Sequence, residues 1–244
     1  MQESMRLSRL TPVSEFLAGA RDIIPLVVGA IPFGIIFGTL ALSSGVSVAG
    51  AIALSAVVFA GSSQFIAIGM VAAGTAWPLI VLTTFVVNLR HLLYSMSLVP
   101  HVKHLPQHWK LAMGFWLTDE AFAIAIRRYE TNQRNPLAHW YYLGAALLMY
   151  VNWQVWTCIG IAVGQRIPNA ANWGLDFAMS VTFIGMIIPY LKTRPMGLAV
   201  TVAGITALLT YSWPHKVGLM LASLVGITVG LWSENALRDK SSSL

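Results

Sequence analysis

Charge is scarce in this sequence. Asp, Glu, Lys and Arg make up 10% of the residues against 57% hydrophobic ones, whereas an ordinary soluble domain carries roughly 25% charged residues. Water is thereby excluded as the solvent for most of the surface. Cysteine is nearly missing as well: a lone Cys158 inside an apolar run rules out an intrachain disulfide and a cysteine-held metal. The sequence has no hydrolytic triad, phosphate-binding glycine loop or zinc-ligand helix, so it does not read as an enzyme and implies no cofactor. Nor does it show the alternating segments of about 10 residues that build a transmembrane β-barrel.

What is present is a succession of long apolar runs. A helix needs about 20 residues, at roughly 1.5 Å each, to cross the hydrocarbon core. Hydropathy gives eight such candidates, near residues 23–43, 49–73, 78–99, 109–126, 140–165, 174–191, 196–213 and 217–233. The expected fold is therefore all-α: a polytopic transmembrane bundle of about eight spans, in one integral membrane domain covering 1–244. The first apolar run is too long for a signal peptide and lacks a clear cleavage site, so it reads as a retained span.

The net charge of +6 is spread over short loops rather than gathered on one face, which argues for a lipid bilayer and against nucleic acid as the partner. With eight spans and an inside N-terminus, the inner side holds ten basic residues, Arg6, Arg9, Arg21, Arg127, Arg128, Arg134, Lys192, Arg194, Arg238 and Lys240. The outer side holds four, Lys103, Lys110, Arg166 and Lys216. Basic residues are retained on the cytoplasmic side, so both termini are expected there. Trp77, Trp109, Trp140, Trp173, Trp213 and Trp232 fall near span ends, where amphipathic rings favour the headgroups.

Two short echoes hint at an internal two-fold repeat. Gly34 to Gly38 resembles Gly160 to Gly164, and Phe59-Ala60-Gly61 resembles Phe183-Ile184-Gly185. A duplication and a chance match of apolar residues both fit; a real repeat at that offset would be parallel rather than inverted.

The third run contains Asn88, Arg90, His91 and Tyr94, and the fourth contains Thr118-Asp119-Glu120. Helix rise places Arg90 about 18 Å from the expected cytoplasmic end and Asp119 about 14 Å from the outer one, so adjacent antiparallel spans bring them to one depth. A buried ion pair that merely fixes register is one reading. The other is a substrate or proton path, which intramembrane charges usually mark: Asp119 and Glu120 point about 100° apart on a helix, so one can pair with Arg90 while its neighbour couples to a proton or ion.

Pro32 and Gly34 in the first run, and Gly61-Ser62-Ser63-Gln64 in the second, look like places where a helix breaks. Proline removes a backbone donor, and broken spans near the midplane cradle substrates in secondary transporters; close packing through small residues is the alternative. His101, His104 and His108 are read as loop residues and not as a metal site, because Pro106 interrupts them and no carboxylate joins them. Asn152, Gln154 and Asp176 are weaker candidates for a cavity wall, with interhelical hydrogen bonds an equal explanation.

Taken in order, Ala60 to Phe65, Asn88 to Ser95 and Leu117 to Phe122, with Pro32-Phe33-Gly34, resemble the AzlC-type permeases over nearly the whole chain. The resemblance implies the large subunit of a branched-chain amino acid exporter in the inner membrane of a prokaryote, working with a small AzlD-type membrane subunit. Expected substrate contacts are Pro32, Gly34, Gly61, Ser62, Ser63, Gln64, Asn88, Arg90 and Tyr94, with Asp119 and Glu120 for ion or proton coupling. A non-transporting membrane subunit that recruits a partner is the alternative, and a higher oligomer remains open.

Overall fold

The computed structural model describes residues 11–131, 135–164, 188, 191, 193–213 and 217–242. Every regular element within them is helical, as a chain that must satisfy its backbone inside lipid requires. Two compact units divide the chain, residues 1–69 with 87–170 and residues 70–86 with 171–244. The expected sixth span, Asp176, the Phe183-Ile184-Gly185 echo, Trp173, Arg6, Arg9, Arg134, Arg166, Lys192 and Lys216 lie outside the described residues.

The first unit is organised around α8 (Ala138–Gly164), an apolar helix long enough to cross a membrane. Along it lies a pair of helices, α1 (Pro12–Asp22) and α2 (Ile24–Ser43), joined through Ile23 with little loss of bonding: Ile23 N–H donates to Gly19 O and Val27 N–H to Ile23 O. Pro25 stands in the first turn of α2, where its missing donor costs no helical bond. The start of α1 at Thr11 is a capping box, with Pro12 at the first helical position. The first helix thus begins 11 residues earlier than hydropathy suggested, and Arg21 stands about 13 Å along it rather than in a loop. Pro32 does not break α2, which runs unbroken through it.

Glycines set the closeness of this packing. A methyl group on Gly19 would stand 1.9 Å from Tyr141 O, one on Gly144 1.9 Å from Phe16 O, one on Gly38 2.2 Å from Thr157 O and one on Gly160 2.2 Å from Ile35 O. Backbones therefore touch at two levels, the arrangement small residues allow between membrane helices, and Thr39 Oγ1 donates to Gly160 O at 3.0 Å across the seam. The glycine stretches that echo one another in sequence are thus packed face to face, α1–α2 running parallel to α8.

Helix α5 (Trp77–Val102) runs the other way. His101, near its C-terminus, stacks on Tyr129, whose core neighbours include Ala138 at the start of α8. The expected fourth span is two helices, α6 (Gln107–Phe115) and α7 (Asp119–Thr131), separated by Trp116–Thr118. Trp109 lies 4.5 Å from His139 and 4.9 Å from Trp140, ring to ring, so α6 begins at the same end at which α7 finishes. One straight helix would hold Trp109 and Tyr129 about 30 Å apart. The segment is a re-entrant hairpin. Its tip reaches Arg90 of α5, about 16 Å from His101 by helix rise, or half of a hydrocarbon core of about 30 Å.

The expected second span also turns back. α3 (Val48–Ala53) widens into a π-helical turn, Leu54–Val58, and ends at Phe59, whose φ of 42° is left-handed; α4 (Gly61–Ala72) follows. Phe65 of α4 meets Phe37 edge-on at 5.8 Å, and Phe37 is only about 9 Å from the far end of α2. Contacts along α8 give the same path: Ser55 bonds to Thr157, Phe59 at the turn meets Tyr150, and Gly61 just beyond it faces Trp153, so the chain runs along α8 to the turn and back.

Two of the eight apolar runs therefore enter and leave by one face instead of crossing. Long helix then hairpin occurs twice, in opposite senses, a relation separate from the echoes of the sequence, of which Phe183 to Gly185 lie outside the described residues. Lys103 and Lys110, assigned outside from the sequence, lie at the same end as Arg127 and Arg128, while the far-end loop 44–47 carries no Lys or Arg. The basic end reads as cytoplasmic.

In the second unit, α9 (Arg194–Leu209) starts at a Thr193 cap and packs on α10 (Val217–Ser242). Gly226 faces Ala203 and Ala199 there. Residues Met220–Leu237 are long and apolar enough to cross a membrane.

Candidate functional site

The two hairpin tips meet the long helices at mid-depth of the first unit. At the first tip the π-helical turn leaves carbonyls without their usual helical donors, and α8 supplies replacements: Gln154 Nε2 donates to Ser55 O at 3.0 Å and the Tyr150 hydroxyl to Ala56 O at 3.0 Å. Ser55 Oγ donates to Thr157 Oγ1 at 3.1 Å. Beyond the tip α4 opens with Gly61-Ser62-Ser63-Gln64. The first amides of a helix have no intrahelical acceptor and carry its positive dipole end.

Ser63 and Gln64 are fully buried. Ser63 Oγ donates to Asn88 Oδ1 at 2.6 Å. Ser62 Oγ, both polar side-chain atoms of Gln64 and Trp153 Nε1 are buried without a hydrogen-bond partner among the described residues. A buried polar group without a partner costs about 1–3 kcal/mol, so these four atoms around one helix start mark the most polar unpaired stretch of the first hairpin. Gly61 packs closely on Trp153, since a methyl there would stand 3.3 Å from the edge of its ring.

At the second tip Thr118 caps α7, its Oγ1 accepting from Ala121 N–H at 3.2 Å. Asp119 and Glu120 occupy the first turn, where the helix dipole favours carboxylates. They are therefore at a helix start, not in mid-span as the sequence suggested. Arg90 Nη1 donates to Asp119 Oδ2 at 2.5 Å, with side chains 26% and 28% exposed. Contact is through one oxygen only: Arg90 Nε and Asp119 Oδ1 are buried and unpartnered among the described residues. Tyr94 stacks on Phe122 at 4.6 Å and 15°, closing the side between α5 and α7.

Of the residues expected from sequence, Gly61 to Gln64, Asn88, Arg90, Asp119 and Glu120 thus belong to the two tips or the stretch of α5 that bonds to both, with Tyr94 beside the second. Pro32 lies within the unbroken α2, and Gly34 does not join them. Gly34 faces Trp156, whose Cβ a methyl group there would approach to 2.8 Å, so it serves helix packing. Asn152 donates to Val27 O at 3.3 Å, and Gln154 is taken up by Ser55; both are interhelical links. His101 stacks on Tyr129, and no cluster of three His, Cys, Asp or Glu that could hold a metal stands among the described residues.

Sequence reasoning missed Tyr150 and Trp153. The polar and aromatic run Tyr150-Val151-Asn152-Trp153-Gln154 in the middle of an apolar helix was the available signal. It also missed a second ion pair, Arg128 Nη2 to Glu15 Oε1 at 2.7 Å, nearer the cytoplasmic end. There Arg128 lies over the Tyr141 ring, and Tyr141 donates to Asp22.

The family profile described as AzlC protein matches residues 25–167, more than half of the chain and the whole of the two-hairpin arrangement. The chain belongs to the AzlC family. Among similar AzlC-like chains, inner membrane protein YgaZ of Escherichia coli is 31% identical over 89% of this chain and 91% of its own length. An uncharacterized membrane protein of Archaeoglobus fulgidus is 29% identical over 85% and 90%. The branched-chain amino acid transport protein AzlC of Bacillus subtilis is 31% identical over 75% and 71%. No solved structure matches. AzlC proteins are membrane proteins of a transport family linked to branched-chain amino acids, and the apolar helices here fit a multi-pass inner-membrane chain.

Proposed function

We propose that the chain is a secondary transporter that exports branched-chain amino acids, coupled to protons or another ion and working with a small AzlD-type membrane subunit. The meeting of two half-helix starts at mid-membrane, with polar atoms left unpaired at each, supports this reading. A zwitterion offers complementary groups. Its carboxylate would take the amides of Gly61 to Ser63, the Ser62 hydroxyl, the Gln64 amide and Trp153 Nε1, as half-helix N-termini receive carboxylates in other transporters. Its ammonium would take Asp119 Oδ1, and Arg90 holds the other oxygen of that carboxylate.

Asp119 and Glu120 share one helix turn, so moving a proton or ion onto one alters the field at the other and at Arg90. That is a route to coupling. The apolar side chain would rest among the aromatic and aliphatic walls of α2, α5 and α8.

Proteoliposomes holding the chain with its small subunit and loaded with labelled valine, leucine or isoleucine give the test. The expected result is saturable efflux that responds to an imposed pH gradient and is lost in Asp119→Asn. Gradient-insensitive efflux unaffected by the substitution would discard the coupling role of Asp119. Absence of efflux in the wild type would favour a subunit that recruits a partner.

A further inference from the structure

Tyr150 of α8 touches both hairpins. Its hydroxyl donates to Ala56 O in the first, its ring meets Phe59 edge-on at 4.8 Å, and the same ring lies 6.3 Å from Phe115 and 6.2 Å from Trp116 at the second tip. Phe59 is the left-handed residue at which the first hairpin turns; Trp116 opens the three-residue turn of the second. α5 provides a polar counterpart on its own stretch, Asn88 to the first tip and Arg90 to the second.

The hairpins enter from opposite faces. Opening the site to either side therefore means withdrawing one tip from α8 while the other stays. A residue packed against both sets the order of these events, because the ring can follow one tip only by leaving the other.

We infer that Tyr150 is a positioning residue for transport, tying the two re-entrant tips to α8 so that both hairpins do not withdraw at once. The ring forms the seal between the faces, and the hydroxyl sets the balance between states by holding the π-turn carbonyl of Ala56. The rate arm of this inference rests on the transport reading above; the seal does not.

The experiment separates the two. Wild type, Tyr150→Phe and Tyr150→Leu are each reconstituted together with the small subunit in proteoliposomes, with insertion and monodispersity checked. Two fluxes are then measured: labelled leucine, and xylitol, a neutral polar solute of similar size. Tyr150→Phe is expected to stay tight to xylitol while its maximal leucine rate changes about fivefold, the worth of one hydrogen bond, with half-saturation moved less than twofold. Tyr150→Leu is expected to pass xylitol in a non-saturable manner at least tenfold faster than wild type. A Leu variant as tight as wild type overturns the seal, and a Phe variant with wild-type leucine kinetics overturns the hydroxyl's part. If wild type carries no leucine, the transport reading fails, while the xylitol comparison still decides whether Tyr150 seals the tips.

Discussion

A carboxylate and a guanidinium half-way through a membrane are stable only as long as each has the other. Arg90 and Asp119 use one donor and one acceptor between them, leaving Nε and Oδ1 unpaired. Removing one partner, as in Asp119→Leu, is expected to destabilise the protein by about 2–3 kcal/mol, the scale of a hydrogen bond between charged groups. Adding Arg90→Leu should recover most of that loss, because no lone charge then remains. Thermal unfolding in detergent reads the recovery and flux reads the function; recovered stability without recovered transport separates a working pair from a register pin. At this scale the sequence was largely legible. The Arg90–Asp119 pairing at matching depth and the break before Gly61 followed from polar and small residues in apolar runs, whereas the contacts of Tyr150 and Trp153 did not, because an aromatic ring in lipid draws no notice until its neighbours are known.

Helices and hairpins were harder to read, for a physical reason. An apolar run of about 20 residues has the same composition whether it crosses the bilayer or dips in and returns, so hydropathy measured 49–73 and 109–126 correctly and misjudged their path. Local signals existed. Thr118 followed by two acids is a helix start, and Thr11-Pro12 marks the onset of α1 ahead of the apolar run. Neither carries hydrophobicity, and both were lost in a reading built on it. The glycine seam between α1–α2 and α8 makes its own prediction. Gly38→Leu or Gly160→Leu, each driven into a facing backbone, should cost about 1–3 kcal/mol or more, while Gly29→Ala, which meets nothing within 4 Å, should leave the unfolding midpoint within about 2 °C. Equal midpoints for all three would remove the seam as a determinant of stability.

For the whole molecule, the two-hairpin path changes which face each loop occupies. With Cys158 replaced by Ala, Lys103→Cys and Lys110→Cys are expected to react with an impermeant thiol reagent from the cytoplasmic side, together with an Arg127→Cys control; labelling of the first two from outside would restore the eight-crossing path. The seam also has a consequence in time. Thr39 and its acceptor Gly160 are 121 residues apart, and Glu15 and Arg128 are 113 apart. At a synthesis rate of about 5–20 residues per second, the first helix waits about 6–24 s in the nascent chain before its partner has been made. Through that interval its glycine face has no backbone to meet and Glu15 no guanidinium. The insertion machinery or surrounding lipid must hold an unfinished surface, so assembly of this permease is gated by translation before any property of the finished fold comes into play.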